Sequence, residues 1–263
     1  VVLAVQYLSL KRESPFGVDL VDVSLQVRAG EVVGIAGVSG NGQRELLFAL
    51  SGEDRRAPAA SVSIANQPAG QRSPGQRRAL GMHFVPEERL GRGAVPEMSL
   101  ADNLLLTRRE AVGTLGWLRT GRLRDQAADI IERFRVKAAG PGAPARSLSG
   151  GNLQKFIMGR EIDAKPTLLI VSQPTWGVDV GAAAQIRAEI LALRDAGCAV
   201  LVVSEELDEL FELSDRLHVM AKGRLSPSVA RRDATVEQIG EWMSGLWHAD
   251  VQQHLQQIEA SHD

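Results

Sequence analysis

The chain has 263 residues, of which 44% are hydrophobic and 24% are charged, and this mixture excludes an intrinsically disordered chain. Its formal net charge of -2 provides no basic surface for nucleic acid, and its longest apolar runs are too short for a transmembrane helix, which needs about 20 residues. The single cysteine, Cys198, cannot form an internal disulfide, so we expect a reducing compartment.

The first half of the chain contains two predicted strands, a hairpin region and a helical region. Residues 21–27 alternate between apolar and polar side chains, as a half-buried strand does, and residues 31–36 form an apolar strand. A glycine-rich loop follows this strand, and a helix is predicted from about Arg44. Residues 57–78 are rich in proline and predict turns and an antiparallel hairpin, whereas residues 100–136 have the apolar period of helices.

The second half alternates strands and helices after a proline- and glycine-rich segment at residues 140–144. The predicted strands cover residues 168–172, 199–204 and 217–220, and the predicted helices lie near residues 182–194, 207–212 and 236–244. Such βαβ alternation implies a mainly parallel sheet. The polar tail at residues 252–263 is compatible with a frayed helix or with disorder, and the state of residues 248–263 stays open.

The glycine-rich loop has the context of a phosphate-binding P-loop, because it follows a strand and opens a helix. Its residues are Gly37, Val38, Ser39, Gly40, Asn41, Gly42, Gln43 and Arg44. Backbone N–H groups and the helix dipole hold an anion in such a loop, but Gln43 and Arg44 replace its usual Lys and Ser or Thr. Since a charge-assisted hydrogen bond contributes about 1.5–3 kcal/mol, we expect triphosphate binding to be weaker by about one to two orders of magnitude. An ordinary tight turn is the alternative.

A second motif makes the interpretation specific. Residues 148–155 read Leu-Ser-Gly-Gly-Asn-Leu-Gln-Lys and match the signature sequence of ABC ATPases, between a P-loop-like motif and a Walker B-like strand. The chain resembles ABC transporter ATPases from residue 21 to residue 223. The resemblance implies an α/β P-loop NTPase core with a mainly parallel sheet, an N-terminal antiparallel β-subdomain and an inserted helical subdomain. The expected core is residues 1–88 and 161–263, and the expected helical subdomain, ending in the signature, is residues 89–160.

The resemblance also identifies substituted positions. Ser172 stands where the family has the Asp that holds magnesium, and Gln173 stands where it has the Glu that acts as general base. Glu205 replaces the switch histidine, and Glu87 replaces the Gln of the Q-loop. A plain buried strand and a local helix cap are the alternatives for these segments. Phe16 is either the aromatic residue that stacks on adenine or a core phenylalanine.

In the same family the signature clamps the γ-phosphate bound to a partner cassette, and Ser149, Gly150 and Gly151 are intact for that role. The candidate nucleotide-binding residues are Gly37, Ser39, Gly40, Asn41, Gly42, Gln43, Arg44, Glu87, Ser149, Gly150, Gly151, Gln154 and Asp179, with Gln173 and Glu205 as substituted catalytic positions. No metal ligand is predicted. We expect weak binding of ATP or ADP at the chain's own loop and Mg²⁺ only at the partner cassette's site.

The motif spellings resemble the second cassette of two-cassette ATPases that serve monosaccharide and purine-nucleoside importers, with the nucleoside branch the nearer. Since the chain begins at Val1 without a leader-like segment, we expect a first cassette to precede it in the same polypeptide. The expected partners are this first cassette, transmembrane permease subunits and, indirectly, a solute-binding protein, with no nucleic acid. The expected location is peripheral, at the cytoplasmic face of the inner membrane.

Three other functions stay open at this point. A cassette that binds no nucleotide would act as a scaffold, and an autonomous ATPase would use Arg44 and Gln173 in place of the missing residues. A soluble ABC ATPase acting on DNA or ribosomes is disfavoured by the nearly neutral charge and by the lack of a long coiled-coil insertion.

Overall fold

The computed structural model describes residues 1–108, 113–114, 117–118 and 120–247. The chain forms two compact units. The first unit is Val1–Val27, Val32–Pro74 and Val203–Asp263, and the second unit is Arg28–Glu31 and Gly75–Val202. The predicted helical subdomain, residues 89–160, has other boundaries than the second unit, and this division stays a prediction. The predicted tail at residues 248–263 lies outside the described residues.

The strands are β1 (Leu3–Leu10), β2 (Leu20–Val27), β3 (Val32–Ala36), β4 (Val62–Ile64), β5 (Gln67–Pro68), β6 (Met82–Val85), β7 (Gly113–Thr114), β8 (Trp117–Leu118), β9 (Leu168–Ser172), β10 (Ala199–Ser204), β11 (Arg216–Ala221), β12 (Arg224–Leu225) and β13 (Val229–Ala230). The α-helices are α1 (Gln43–Ser51), α2 (Pro74–Ala79), α3 (Leu100–Leu105), α4 (Thr120–Arg133), α5 (Gly150–Asp163), α6 (Val180–Asp195), α7 (Leu207–Leu213) and α8 (Val236–Met243). Short 3-10 turns cover Ala59–Ser61, Ala145–Ser147 and Arg231–Asp233.

An antiparallel sheet in the order β2-β1-β4-β5 lies in the first unit. Strand β1 pairs with β2 from Leu3 opposite Val27, and the register shifts between Val5 and Leu8. The pairing of β4 with β5 confirms the predicted antiparallel hairpin. Alternate side chains of β2 are buried, as the period-2 pattern of its sequence predicts.

The main sheet has seven strands, and the first unit contributes the run β12-β11-β3 with β13 beside β11. Strands β11 and β3 are parallel, with Leu217 opposite Gly34. All five residues of β3 are buried, which explains its continuous apolar sequence. A Cβ at Gly34 would overlap with the Ser214 hydroxyl, so this position requires glycine for close packing. The glycine-rich loop begins where β3 ends.

The second unit contains the run β10-β9-β6, with β10 passing into the first unit at Val203. Strands β6 and β9 are parallel, with Met82 opposite Leu168. Strands β9 and β10 are buried throughout, as their apolar runs predict. The predicted strands and helices of the second half of the sequence are all present. No helix within the described ranges has both the length and the apolar character needed to cross a membrane.

The region predicted as helical, residues 100–136, is helical only in part. Helices α3 and α4 are present, but the short antiparallel pair β7 and β8 lies between them. Gly113 and Gly116 fall in this stretch, and glycine costs about 1 kcal/mol relative to Ala inside a helix, so the helical period breaks there. The apolar period of this region is nevertheless reflected in α4, where Leu123, Ala127 and Ile130 share one buried face.

Candidate functional site

The glycine-rich loop of the first unit turns sharply into helix α1, as predicted. Gly40 and Gly42 have φ values of 82° and 111°, which only glycine adopts without strain. Gly42 is the N-cap of α1 and makes no side-chain cap bond, so the first amides of the helix are not satisfied by a cap. Within the described residues no acceptor is bonded to the amides of Ser39, Gly40 and Gly42. These amides keep the capacity to bind an anion.

The side chain of Gln43 folds back onto this loop. Its Oε1 accepts a hydrogen bond from the Asn41 amide at 3.1 Å, and its Nε2 donates to the Val38 carbonyl at 3.0 Å. Gln43 is buried, and a Cβ at Gly37 would overlap with its Nε2. The residue that replaces the family's Lys therefore bonds to the loop itself, on the inner side of the turn.

Arg44 and Phe16 lie near the start of α1 on exposed positions. The guanidinium of Arg44 stacks on the ring of Phe48, 5.1 Å from its centre, one helical turn further along α1. Arg44 thus points along the helix, away from the loop. Phe16 is 98% exposed, which excludes the alternative of a core phenylalanine. Its segment is tied to α1 because the Val18 amide donates to Glu45 Oε1 at 3.1 Å.

The signature residues of the second unit form the start of helix α5. Ser149 is the N-cap, and its Oγ accepts hydrogen bonds from the amide and the Nδ2 of Asn152, the latter at 2.9 Å. Its own O–H hydrogen is left to donate to another group. Ser149 and Gly150 are exposed. A Cβ at Gly151 would lie 3.0 Å from the Gly177 carbonyl oxygen, so glycine permits close packing against that loop.

Arg89 links its own loop to helix α5 and to the loop after β9 in the second unit. No motif in the sequence predicted this role. Its Nε donates to Gln154 Oε1 at 3.1 Å, and its Nη2 donates to the Trp176 carbonyl. A Cβ at Gly150 would lie 2.7 Å from Arg89 Nη1. Burial lowers the pKa of Arg89, and the charge of Glu87 opposes that shift. The only sequence signal was its place two residues after Glu87.

Gln154 is buried, and its Nε2 donates to the Pro174 carbonyl at 3.0 Å. It therefore joins α5 to the segment after β9. Gln173 itself is buried and has a φ of 49°, in the left-handed region, where a non-glycine residue costs about 1–2 kcal/mol. This conformation of Gln173 turns the chain abruptly after β9. Backbone strain of this kind concentrates at functional positions. Ser172, at the end of β9, is also buried.

Asp179 caps helix α6. Its Oδ1 accepts a hydrogen bond from the Ala182 amide at 2.9 Å, and backbone hydrogen bonds, with that of Ala182 the largest, hold its pKa below the usual value. The carboxylate is thus ionised and used by the helix N-terminus. This is a structural role, and a role in nucleotide binding stays a prediction.

The segment around Glu205, in the first unit, is fixed by hydrogen bonds of the buried Ser204 side chain. The Ser204 hydroxyl donates to Glu209 Oε2 at 2.8 Å and accepts from the Glu206 amide at 3.1 Å, which fixes the start of α7. Glu206 is the N-cap but makes no side-chain cap bond. Glu205, the predicted replacement for histidine, is exposed, as is Glu87 in the second unit.

The predicted site residues are divided between the two units. The first unit holds the glycine-rich loop and Glu205, and the second brings Ser149, Gly150, Gly151 and Gln154 together around Arg89 and the loop at residues 173–177. None of the substituted residues Gln43, Arg44, Ser172 and Gln173 carries a carboxylate, a common ligand of magnesium. In the described part of the chain no group of three or more His, Cys, Asp or Glu is arranged to hold a metal.

Comparison with known proteins adds three findings. The profile of the family described as "ABC transporter" matches residues 20–176. The nucleoside import ATP-binding protein NupA of Lactococcus lactis subsp. cremoris is 40% identical over 247 residues, which are 93% of this chain and 48% of NupA. The guanosine import ATP-binding protein NupO of Bacillus subtilis is 38% identical over 93% of this chain and 48% of its own. The chain therefore spans about half the length of these relatives.

Among solved structures, one described as the ATP-binding subunit of an ABC transporter superposes with a TM-score of 0.74 at 20% identity, covering 93% of this chain and all of the other. This likeness concerns the fold. Together with the family match it confirms the predicted class, an α/β P-loop core with a mostly parallel sheet and an antiparallel β-subdomain.

Proposed function

Because this chain belongs to the ABC transporter family, whose ATP-binding domains bind ATP with Mg²⁺, we propose that it is the nucleotide-binding cassette of an importer for nucleosides or simple sugars. NupA and NupO are named for nucleoside and guanosine import, and a 37% identical relative from Halalkalibacterium halodurans is named for ribose import. NupA and NupO each match 93% of this chain, which favours a nucleoside, whereas the glucose import ATP-binding protein TsgD13 of Haloferax volcanii, 42% identical, matches 86%. Such a cassette works at the cytoplasmic face of the membrane, bound to permease subunits, with a solute-binding protein delivering the cargo.

The cassette acts as one half of a two-cassette ATPase, and we assign it to the second half. The length ratio supports the pairing, since the chain covers 48% of NupA and NupO. A head-to-tail pair of cassettes has two ATP sites, each built from the P-loop of one half and the signature of the other. One half is then able to lose its own site and still be essential through its signature.

This chain's own site is degenerate. The Ser172 hydroxyl is a poor ligand for magnesium, and Gln173 orients a water but cannot accept its proton. Gln43 carries no positive charge for the β- and γ-phosphates, and Arg44 is engaged with Phe48. Nucleotide binding at this loop therefore depends on backbone amides alone, is weak and does not lead to hydrolysis.

The signature is the functional centre of the chain. The observation that carries this proposal is the N-terminus of the 14-residue helix α5, which is capped by Ser149 and begins with Gly150, both of them exposed. The donors at a helix N-terminus stabilise a phosphate. Its packing against Gly177 and Arg89 fixes the donors before any partner arrives.

The test replaces Ser149 in a two-cassette ATPase that contains this chain. We expect Ser149→Gly to lower steady-state ATP hydrolysis by about 100-fold, because it removes the hydroxyl donor and this is the typical cost of losing one donor aimed at a developing charge. Glycine in place of serine at an N-cap costs only roughly a few tenths of a kcal/mol, so helix α5 should keep its stability. Ser147→Ala is the matched control, because that exposed serine bonds only to the Pro144 carbonyl at 2.7 Å. Unchanged turnover in Ser149→Gly would remove the Ser149 hydroxyl from the mechanism.

A second candidate is a scaffold cassette that binds no nucleotide at its own loop. The observation that favours it is the hydrogen bond from the Asn41 amide to Gln43 Oε1, which engages a donor that a phosphate would need. The two candidates share the role of the signature and differ only at the glycine-rich loop.

A further inference from the structure

We propose that the Gln43 carboxamide takes the place of a phosphate oxygen in the glycine-rich loop and thereby sets the nucleotide affinity of this cassette. The inference rests on the proposed nucleotide-binding role of the loop and deepens it. It gives Gln43 an active role as a competitor, in contrast to a residue that merely lacks the charge of Lys.

The hydrogen bonds of Gln43 support competition. Its Oε1 lies 3.1 Å from the Asn41 nitrogen, and an amide hydrogen that bonds to this oxygen is no longer available to a phosphate. Its Nε2 donates to the Val38 carbonyl at 3.0 Å, so the carboxamide forms a bridge between Asn41 and Val38. The side chain is buried against Gly37, so the bridge fills the inside of the turn.

The loop itself is held in place from its other side, so only the side chain is able to yield. The Asn41 carbonyl accepts from the Gly223 amide at 2.8 Å, and its Oδ1 accepts from the Lys222 amide at 2.9 Å. Its Nδ2 donates to the Val38 carbonyl at 2.9 Å. A Cβ at Gly42 would lie 3.1 Å from Gly223 Cα, so Gly42 packs closely against that turn.

The chemistry of the two side chains explains why glutamine competes and lysine does not. A carboxamide has both a donor and an acceptor and therefore bridges the Asn41 amide and the Val38 carbonyl. An ammonium has donors only. Lysine at position 43 would still donate to the Val38 carbonyl but would leave the Asn41 amide to an anion and add a positive charge.

The experiment is calorimetric titration of this chain with ATP, comparing the wild type with Gln43→Ala, Gln43→Lys and Gln43→Glu. Removing the competitor frees bonds that contribute about 0.5–1.5 kcal/mol each, so Gln43→Ala should bind ATP roughly 3- to 10-fold more tightly than the wild type. Gln43→Lys should bind more tightly again. Gln43→Glu, which keeps an acceptor for the Asn41 amide and adds negative charge, should bind less tightly than the wild type.

Gln67→Ala is the matched control, because the exposed Gln67 of β5 bonds only to Arg72 among the described residues, so its affinity should equal that of the wild type. Urea unfolding of each variant shows that it is folded. ATP binding by Gln43→Ala but not by the wild type would support the inference and remove the proposed weak binding. An affinity of Gln43→Ala equal to or below that of a binding wild type would overturn the inference alone. Absence of binding in every variant would overturn it and favour the scaffold.

Discussion

At the scale of single residues, Arg89 is the side chain on which the geometry of the signature depends. It donates to Gln154 on α5 and to the Trp176 carbonyl in the loop after β9. Its Nη1 lies so close to Gly150 that a Cβ there would be 2.7 Å away. The planar guanidinium donates in several fixed directions at once, which an ammonium cannot do. Arg89 therefore positions the signature relative to the loops on either side of it.

We expect Arg89→Lys to lower the free energy of unfolding by about 1 kcal/mol, since it removes a charge-assisted hydrogen bond at a half-buried site. Urea denaturation followed by circular dichroism measures this. Arg146→Lys is the control, because Arg146 pairs with Glu97 at 3.0 Å with both side chains exposed, and such surface pairs contribute about 0–1 kcal/mol. Equal losses in the two variants would show that Arg89 does no more than a surface residue.

The identities of the substituted residues could be predicted from the sequence, but their contacts could not. Motif spacing placed Gln43 and Gln173 because a P-loop and a Walker B strand have fixed positions relative to a strand end. The fold of Gln43 onto Asn41 depends on a side-chain torsion, and the left-handed φ of Gln173 depends on packing after β9. Periodicity carries no information on either.

At the scale of elements, helix α5 is unusual because ten consecutive residues, from Leu153 to Ile162, are buried. They include Arg160 and Glu161, whose charges lie in the interior. Glu161 pairs with Arg160 at 2.8 Å, with Arg78 at 2.9 Å and with His83 at 2.6 Å. Hydrophobic periodicity would not have found such a helix. The sequence predicts a helix after residues 148–152, and the structure begins it within them, at Gly150.

We expect Glu161→Gln to lower the free energy of unfolding at neutral pH by about 3 kcal/mol, because it leaves the buried Arg160 without its counter-charge. Burial raises the pKa of Glu161, but the charges of Arg160 and Arg78 and the hydrogen bond from His83 outweigh it and hold the pKa well below its usual value of 4.5. The folded pKa lies below the unfolded one, so this stabilisation is complete above about pH 4.5 and falls as the pH decreases.

The wild type should therefore lose stability in acid more steeply than Glu161→Gln, as urea unfolding between neutral pH and pH 3 would measure. Asp195→Asn is the control, because Asp195 pairs with Arg194 at 2.8 Å and its own side chain is 67% exposed. A neutral-pH effect of Glu161→Gln no larger than that of Asp195→Asn would mean that the buried cluster does not stabilise the chain.

At the scale of the whole molecule, the α/β class and the mainly parallel sheet could be predicted because strands and helices alternate along the second half of the chain. Strand β1 could not, since its buried positions, Leu3, Val5, Leu8 and Leu10, do not keep a period of two. The register shift between Val5 and Leu8 accounts for the break. The short pair β7 and β8 was likewise hidden within a helical pattern.

For the isolated chain we expect no steady-state ATP hydrolysis above background, because neither Ser172 nor Gln173 supplies a carboxylate. Any ATP or ADP binding should be the same with Mg²⁺ and with chelator, since the backbone amides bind phosphate without a metal. A coupled phosphate-release assay and titrations in both buffers measure these two properties. Turnover by the chain alone, or affinity that rises with Mg²⁺, would point to the autonomous ATPase.

Cys198, the single cysteine of the sequence, makes local unfolding of the second unit measurable by chemical labelling. Cys198 is buried beside β10, and burial raises its pKa to about 12. Alkylating reagents attack the thiolate, so at neutral pH they modify Cys198 only in molecules whose strand has separated from its surroundings. Because the sequence holds no other cysteine, the labelling rate counts these openings directly and needs no introduced probe.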